Sequence, residues 1–239
     1  DCTATLHNAA FYNCRKLKKL SVGTAISGIG SDEFMNDSQL EHLIIRGKDS
    51  EATGLPLILE RIAENITVSF CPNSPSSPES IVFFPEYYEW LDEISPAHIF
   101  SRSIHGEGFR MRRSFENGIL DYRKYDSCLE NALTVESPES LCKISLNRLR
   151  WPSRLEDIFR EKYENVIKKY MGTAFTLAVK DQDFPMLQFI CEHFSPDASA
   201  LASAIDQCIE KEWGEGNAFL IEAKHKSFSK KTFDFDLDF

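Results

Sequence analysis

The feature that most narrows the fold is a spacing that recurs. Leu17, Leu20 and Val22 return as Leu40, Leu43 and Ile45, each shifted by 23 residues. A recurrence of this length suits a coiled chain in which each turn contributes one short strand with alternate residues pointing inward. A return segment then brings further apolar residues over the same core. Ile26, Ile29 and Phe34 fall in the return segment, and Leu6 and Phe11 fit the turn before it. Residues 55–66 carry apolar side chains at helical spacing and predict a helix, and residues 68–71 predict a short strand.

On these residues, positions 1–50 resemble about two leucine-rich repeats, whose period spans this length. The asparagine that usually follows the strand in that family is replaced by Gly23-Thr24 and Gly47-Lys48. The resemblance implies a leucine-rich-repeat-like part over residues 1–71 that binds protein partners.

Composition limits the function classes. A chain of 239 residues with 42% apolar and 27% charged residues can bury a core. With 27 Lys and Arg against 37 Asp and Glu the net charge is -10, which argues against a general nucleic-acid binder. No run approaches the ~20 apolar residues that cross a bilayer, so no membrane partner is expected. No signal peptide is read at the start. The seven cysteines, Cys2, Cys14, Cys71, Cys128, Cys142, Cys191 and Cys208, are odd in number, widely spaced and without a CxxC pair. They predict reduced thiols in a cytoplasmic or nuclear protein, with no metal and no cofactor.

Residues 72–80 hold three prolines and four serines and read as a linker. A mixed α/β middle, residues 81–136, follows. Its aromatic opening, residues 81–91, predicts a strand and then a helix packed on a core; an exposed patch that docks a partner is the other reading. Arg102, His105, Arg110, Arg112 and Arg113 form a basic cluster that suits either a solvated loop or an acidic partner. His105-Gly106-Glu107-Gly108 resembles a hydrolase oxyanion loop. No Gly-x-Ser-x-Gly elbow accompanies it, so no enzyme is read.

Residues 137–159 contain Leu141-Cys142, then Lys143, Leu146 and Arg148, then Trp151-Pro152-x-x-Leu155-x-x-Ile158-Phe159. Ser137 and Pro138 suit a helix start, and Glu139 suits the positive end of its dipole. Leu141, Cys142, Ser145 and Leu149 share one face of that helix. This segment resembles a SOCS box. The resemblance implies that Leu141, Cys142 and Leu146, with Leu149 beside them, meet elongin C in the elongin B/C pair. It implies that Trp151, Pro152 and Leu155 approach a cullin.

The C-terminal third reads as helical. Leu155, Ile158, Phe159, Tyr163, Val166 and Tyr170 mark an amphipathic helix. Thr173-Ala174, Leu177-Ala178 and Leu187-Gln188-Phe189-Ile190 resemble an ankyrin repeat, although 28 residues separate Leu177 from Ile205 where that family has 33. Stacked helical hairpins over residues 160–226 are expected, then an acidic and aromatic tail, residues 227–239, in which Phe and Leu alternate with Asp. The expected fold is α-rich mixed α/β, with a leucine-rich-repeat-like N-terminal part and a helical-hairpin C-terminal part. The expected function is that of a non-enzymatic adaptor, either the substrate-recognition subunit of an elongin/cullin-RING ubiquitin ligase or a general protein-binding scaffold without that link.

Overall fold

Residues 3–37, 39–94 and 99–233 are described by a computed structural model. The chain is mixed α/β and divides into two units, residues 1–162 and 163–239.

The first unit begins as parallel coils. β1 (Thr5–Leu6), β2 (Lys19–Gly23), β3 (Gly28–Ile29) and β4 (His42–Arg46) pair as β1 with β3 and β2 with β4, both parallel. Both ladders hold the same offset, since Thr5 lies against Gly28 and Lys19 against His42. The 23-residue recurrence is therefore a physical repeat. It extends beyond the leucines. Phe11 stacks on Phe34 at 5.5 Å with rings 9° apart. Ala9 and Asp32 share a left-handed backbone (φ 58° and 61°), as do Asn13 and Asn36 (62° and 69°). The amides of Ala9, Phe11 and Asn13 donate to the carbonyls of Ser31, Glu33 and Met35.

A short α1 (Leu55–Leu59) follows, then β5 (Ile66–Phe70), which pairs parallel to β4 with an offset of 25, His42 facing Thr67. The helix expected over 55–66 is thus one turn and a half, because the chain must turn back in time to enter β5. β6 (Ser80–Phe84) lies antiparallel to β5, so the sheet runs β2-β4-β5-β6. The Pro/Ser stretch read as a linker joins two paired strands inside one unit; Ser74 and Ser77 bridge across its turn. Rows of facing side chains cross the sheet, Leu20–Leu43–Val68–Val82 and Val22–Ile45–Phe70–Ser80. Leu43, Val68 and Val82 are completely buried, as the inward positions of a sheet with one covered face should be.

Next come β7 (Tyr88–Ile94) and β8 (Ile99–His105), an antiparallel pair separate from the main sheet, where the sequence predicted a helix. α2 (Gly108–Met111), β9 (Phe115–Glu116) and β10 (Ile119–Leu120) lead to α3 (Tyr122–Ser127), α4 (Leu129–Val135) and α5 (Pro138–Arg150). α5 packs on β6. Its N-terminus is as expected: the Ser137 hydroxyl accepts from the Ser140 amide at 3.1 Å and Pro138 opens the helix.

α6 (Asp157–Lys169) spans the boundary between the units. In the second unit lie α7 (Met171–Lys180), α8 (Phe184–Phe194), α9 (Ala198–Glu210) and α10 (Gly214–Phe233), with α7 against α8 and α9, and α10 against α8 and α9. Asp183 and Asp197 cap α8 and α9 by accepting from the amides of Met186 and Ala200. Leu187, Ile190, Leu201, Ala204, Cys208 and Leu220 form the core between them. The alternating end of the tail, residues 234–239, lies outside the described residues. No described helix is long and apolar enough to cross a membrane.

Candidate functional site

The segment expected to grip elongin C is a core helix in this fold. Leu141, Cys142, Leu146 and Leu149 are 1, 0, 2 and 4% exposed. Burial pushes the Cys142 thiol up to about 12, so it packs as a small apolar group and stays protonated. Trp151 and Leu155 are half-buried and Pro152 is exposed. Only that second stretch presents surface; the first face would have to leave the core before a partner could meet it.

What holds α5 in place is a polar residue that the helical pattern does not advertise. Arg148 is wholly buried and donates to both carboxylate oxygens of Asp126, Nε to Oδ1 at 2.7 Å and Nη2 to Oδ2 at 2.9 Å. It also donates to the carbonyls of Trp151 and Ser153, and it lies 4.3 Å from the Tyr122 ring centre. The Tyr122 hydroxyl donates to Asp49 at 2.8 Å and lies 2.5 Å from the Ser80 hydroxyl. Burial raises the Tyr122 pKa, which keeps the phenol a donor. This network ties α3, α5 and β6 to the loop after β4.

The basic cluster at 102–113 dissolves into separate internal contacts. Arg102 pairs with Glu89 across the β7–β8 ladder. Arg110 pairs with the buried Glu107, and Arg113 lies over the Phe109 ring. Arg112, 4% exposed, donates to the carbonyls of Ile62, Glu64 and Pro85. Its pKa is lowered to about 10, chiefly by burial, which still leaves it charged at neutral pH. Arg112 fastens loops, while Arg102, Arg110 and Arg113 are exposed and each meets a partner of its own within the chain.

His105 stands at the end of β8, stacked on Tyr88 at 4.9 Å, with its Nε2 3.3 Å from the Ser103 hydroxyl. Among the described residues no carboxylate orients the ring, so the acidic member of a triad has no counterpart there. No described cluster of three His, Cys, Asp or Glu side chains is placed to hold a metal. Cys71, Cys128 and Cys208 are buried free thiols, Cys191 is half-buried and Cys14 is exposed.

Two surfaces stand out, the first of which was the second of the two readings of the aromatic stretch. On the β7–β8 ribbon Tyr88, Trp90, Leu91 and Phe100 are 59, 56, 66 and 68% exposed. The aromatic stretch is thus split, with Phe83 and Phe84 in the core and Tyr88 and Trp90 outside it. The second surface lies just before and at the start of β2, where the exposed Arg15, Lys16, Lys18 and Lys19 crowd into five residues. A count of cations per window would have found it. Searches of protein-family models, of curated proteins and of solved structures give no match to this chain.

Proposed function

We propose that this chain is a non-enzymatic protein-binding scaffold, with leucine-rich-repeat-like coils in its first unit and stacked helical hairpins in its second. The carrying observation is the β7–β8 ribbon. Four large apolar residues, two of them aromatic rings with polar handles, stand more than half exposed on a separate two-stranded sheet. Residues of this kind are the usual anchors of protein interfaces, where a desolvated aromatic contributes more than its neighbours. The coil reading is supported by the shared 23-residue offset of both parallel ladders. The ankyrin-like reading is supported by α7–α10 packing in pairs, on a period shorter than that family's.

The narrower proposal, an elongin/cullin ligase subunit, depends on the α5 face that the fold buries. The scaffold without a ligase link is therefore the reading we favour. The test is affinity capture with the full chain and with a Trp90→Ser, Leu91→Ser, Phe100→Ser variant. Loss of a reproducible set of partners at an unchanged Tm is expected; identical capture by both would remove the ribbon from the proposal. Purified elongin B/C forms a second arm. Its capture by the folded chain, with faster amide exchange along α5, would bring the ligase reading back.

A further inference from the structure

Five of the ten prolines follow a serine, at Ser74, Ser77, Ser95, Ser137 and Ser195. Ser95 lies outside the described residues. The fold gives three of the others a structural task. The Ser137 hydroxyl caps α5 by accepting from the Ser140 amide at 3.1 Å. Ser195 ends α8 in the left-handed region, φ 47° and ψ 61°, and Pro196 leads into the Asp197 cap of α9. Ser74 is half-buried; its hydroxyl lies 2.9 Å from that of Ser76 and accepts from the Ser76 amide at 3.4 Å, which shapes the turn between β5 and β6. Ser77 is exposed, and its hydroxyl has no partner among the described residues.

The turn around Ser77 can also be drawn out at little cost. Pro72, Pro75 and Pro78 have no amide to donate, so the segment is loosely tied. Among the described residues one backbone bond closes it, from the Ser77 amide to the Ser74 carbonyl at 2.9 Å. The Cys71 thiol reaches the Pro75 carbonyl at 3.6 Å. The next backbone bond, from the Glu79 amide to the Phe70 carbonyl, already belongs to the β5–β6 ladder. Pro75, Ser76, Ser77 and Glu79 are exposed. Pro78 biases Ser77 towards extended backbone, the form in which a protein kinase takes its substrate.

The other serines resist that form. At Ser137 the first turns of α5 would have to unwind, and Leu141 and Cys142 would leave the core. At Ser195 the left-handed backbone would have to reverse and the first turn of α9 be released.

We propose that Ser77 is a phosphorylation site for a proline-directed protein kinase, framed by Pro75 and Pro78. The Ser77 Oγ bonds to the γ-phosphorus of ATP, and the bond from that phosphorus to the β,γ-bridging oxygen breaks. ADP leaves with the electron pair, and the hydroxyl proton passes to the base of the kinase. The ester adds roughly -1.5 to -2 charge to a loop whose one ionisable side chain between residues 72 and 80 is Glu79. The site is separate from the β7–β8 ribbon and does not depend on the protein-binding reading above.

The full chain is incubated with Mg-ATP and a proline-directed kinase of the mitogen-activated class, and each serine is followed over time by peptide mass spectrometry. Short synthetic peptides centred on Ser77, Ser137 and Ser195 serve as unfolded references. In the chain, Ser77 should take phosphate at least about tenfold faster than Ser137 or Ser195, because those two must wait for local unfolding. Its rate should stay within about threefold of its own peptide, because the turn opens at little cost. Ser77→Ala should lose the phosphorylated turn at an unchanged Tm. Pro78→Ala, with its fold checked by Tm, should slow modification of Ser77 at least about tenfold. The proposal is overturned by no phosphate on Ser77 of the folded chain, by equal modification of Ser137 or Ser195, or by an equal rate in Pro78→Ala. It is also overturned if Ser74 or Ser76 takes up phosphate at the full rate in Ser77→Ala. The ribbon variant should be modified as the unmodified chain is, so its partner capture succeeds or fails independently.

Discussion

At the β6 end of the main sheet, α5 lies on the strand and Arg148 is gripped by Asp126 with neither group reaching water. At the β2 end, Leu20 is half-exposed and lysines stand along an unpaired edge. One sheet thus has an end finished by its own chain and an end finished by nothing described. A solenoid-like stack must shield its terminal layers, because each layer buries its apolar face only against a neighbour. The contrast teaches which end of the described sheet holds its stability.

The sharpest way to break this comparison is at the sealed end. Asp126→Ala leaves a buried guanidinium without its carboxylate and should cost about 3–5 kcal/mol in urea unfolding. Asp126→Leu with Arg148→Met should recover most of that loss, since an apolar pair of similar volume needs no desolvated charge. A loss below ~1 kcal/mol for the single variant would mean that α5 is not locked as described.

The next test compares matched leucines. Leu43→Ala removes a completely buried side chain and should cost about 2–5 kcal/mol. Leu20→Ala, its counterpart one coil earlier, should cost about half of that or less, since its site already meets water. Equal losses would show that coil 1 is as well covered as coil 2.

A smaller effect follows from pH. His42 donates to or accepts from the Ser69 hydroxyl at 2.7 Å, and its pKa is lowered below 6.5, first by burial and then by Lys19. The folded chain therefore resists protonation more than the unfolded chain does. The resulting stability is fully present above pH 6.5 and is lost as pH falls from there through the lower folded value. Tm should drop over that window, and His42→Gln should flatten the drop.

The smallest effect belongs to the edge lysines. Lys16→Gln, Lys18→Gln, Lys19→Gln should change stability by no more than about 0.5 kcal/mol, because these side chains are exposed and have no carboxylate partner among the described residues. A large loss would make them structural.

The coils were legible because Leu17, Leu20 and Val22 repeat in kind as well as in spacing. The stacked Phe11 and Phe34 and the paired left-handed turns share the same offset but lie in segments with no strand or helix pattern to draw attention to them. The α5 helix was legible from Ser137 to Arg150, yet its role was not. Leucines at helical spacing look alike whether they face a partner or a core, and what distinguishes them here is Asp126, 22 residues away in sequence. The exposure of the β7–β8 ribbon was only the second reading of its sequence for a related reason. Tyr88, Trp90 and Leu91 carry large apolar rings and chains that local pattern assigns to an interior. Only the three-dimensional arrangement shows that β6 had already filled that place.

The matched offset of the two ladders also restricts how this chain can change length. A residue added between Leu6 and Lys19 would leave the 23-residue offset of β2 and β4 intact but lengthen the β1–β3 offset by one, so coil 1 would have to bulge out the extra residue to keep β1 against β3. The next coil escapes this rule, since it reaches β5 two residues later than the template and spends the surplus around α1. Insertions and tags should therefore be accepted between Arg46 and Ile66 far more readily than between Leu6 and Lys19.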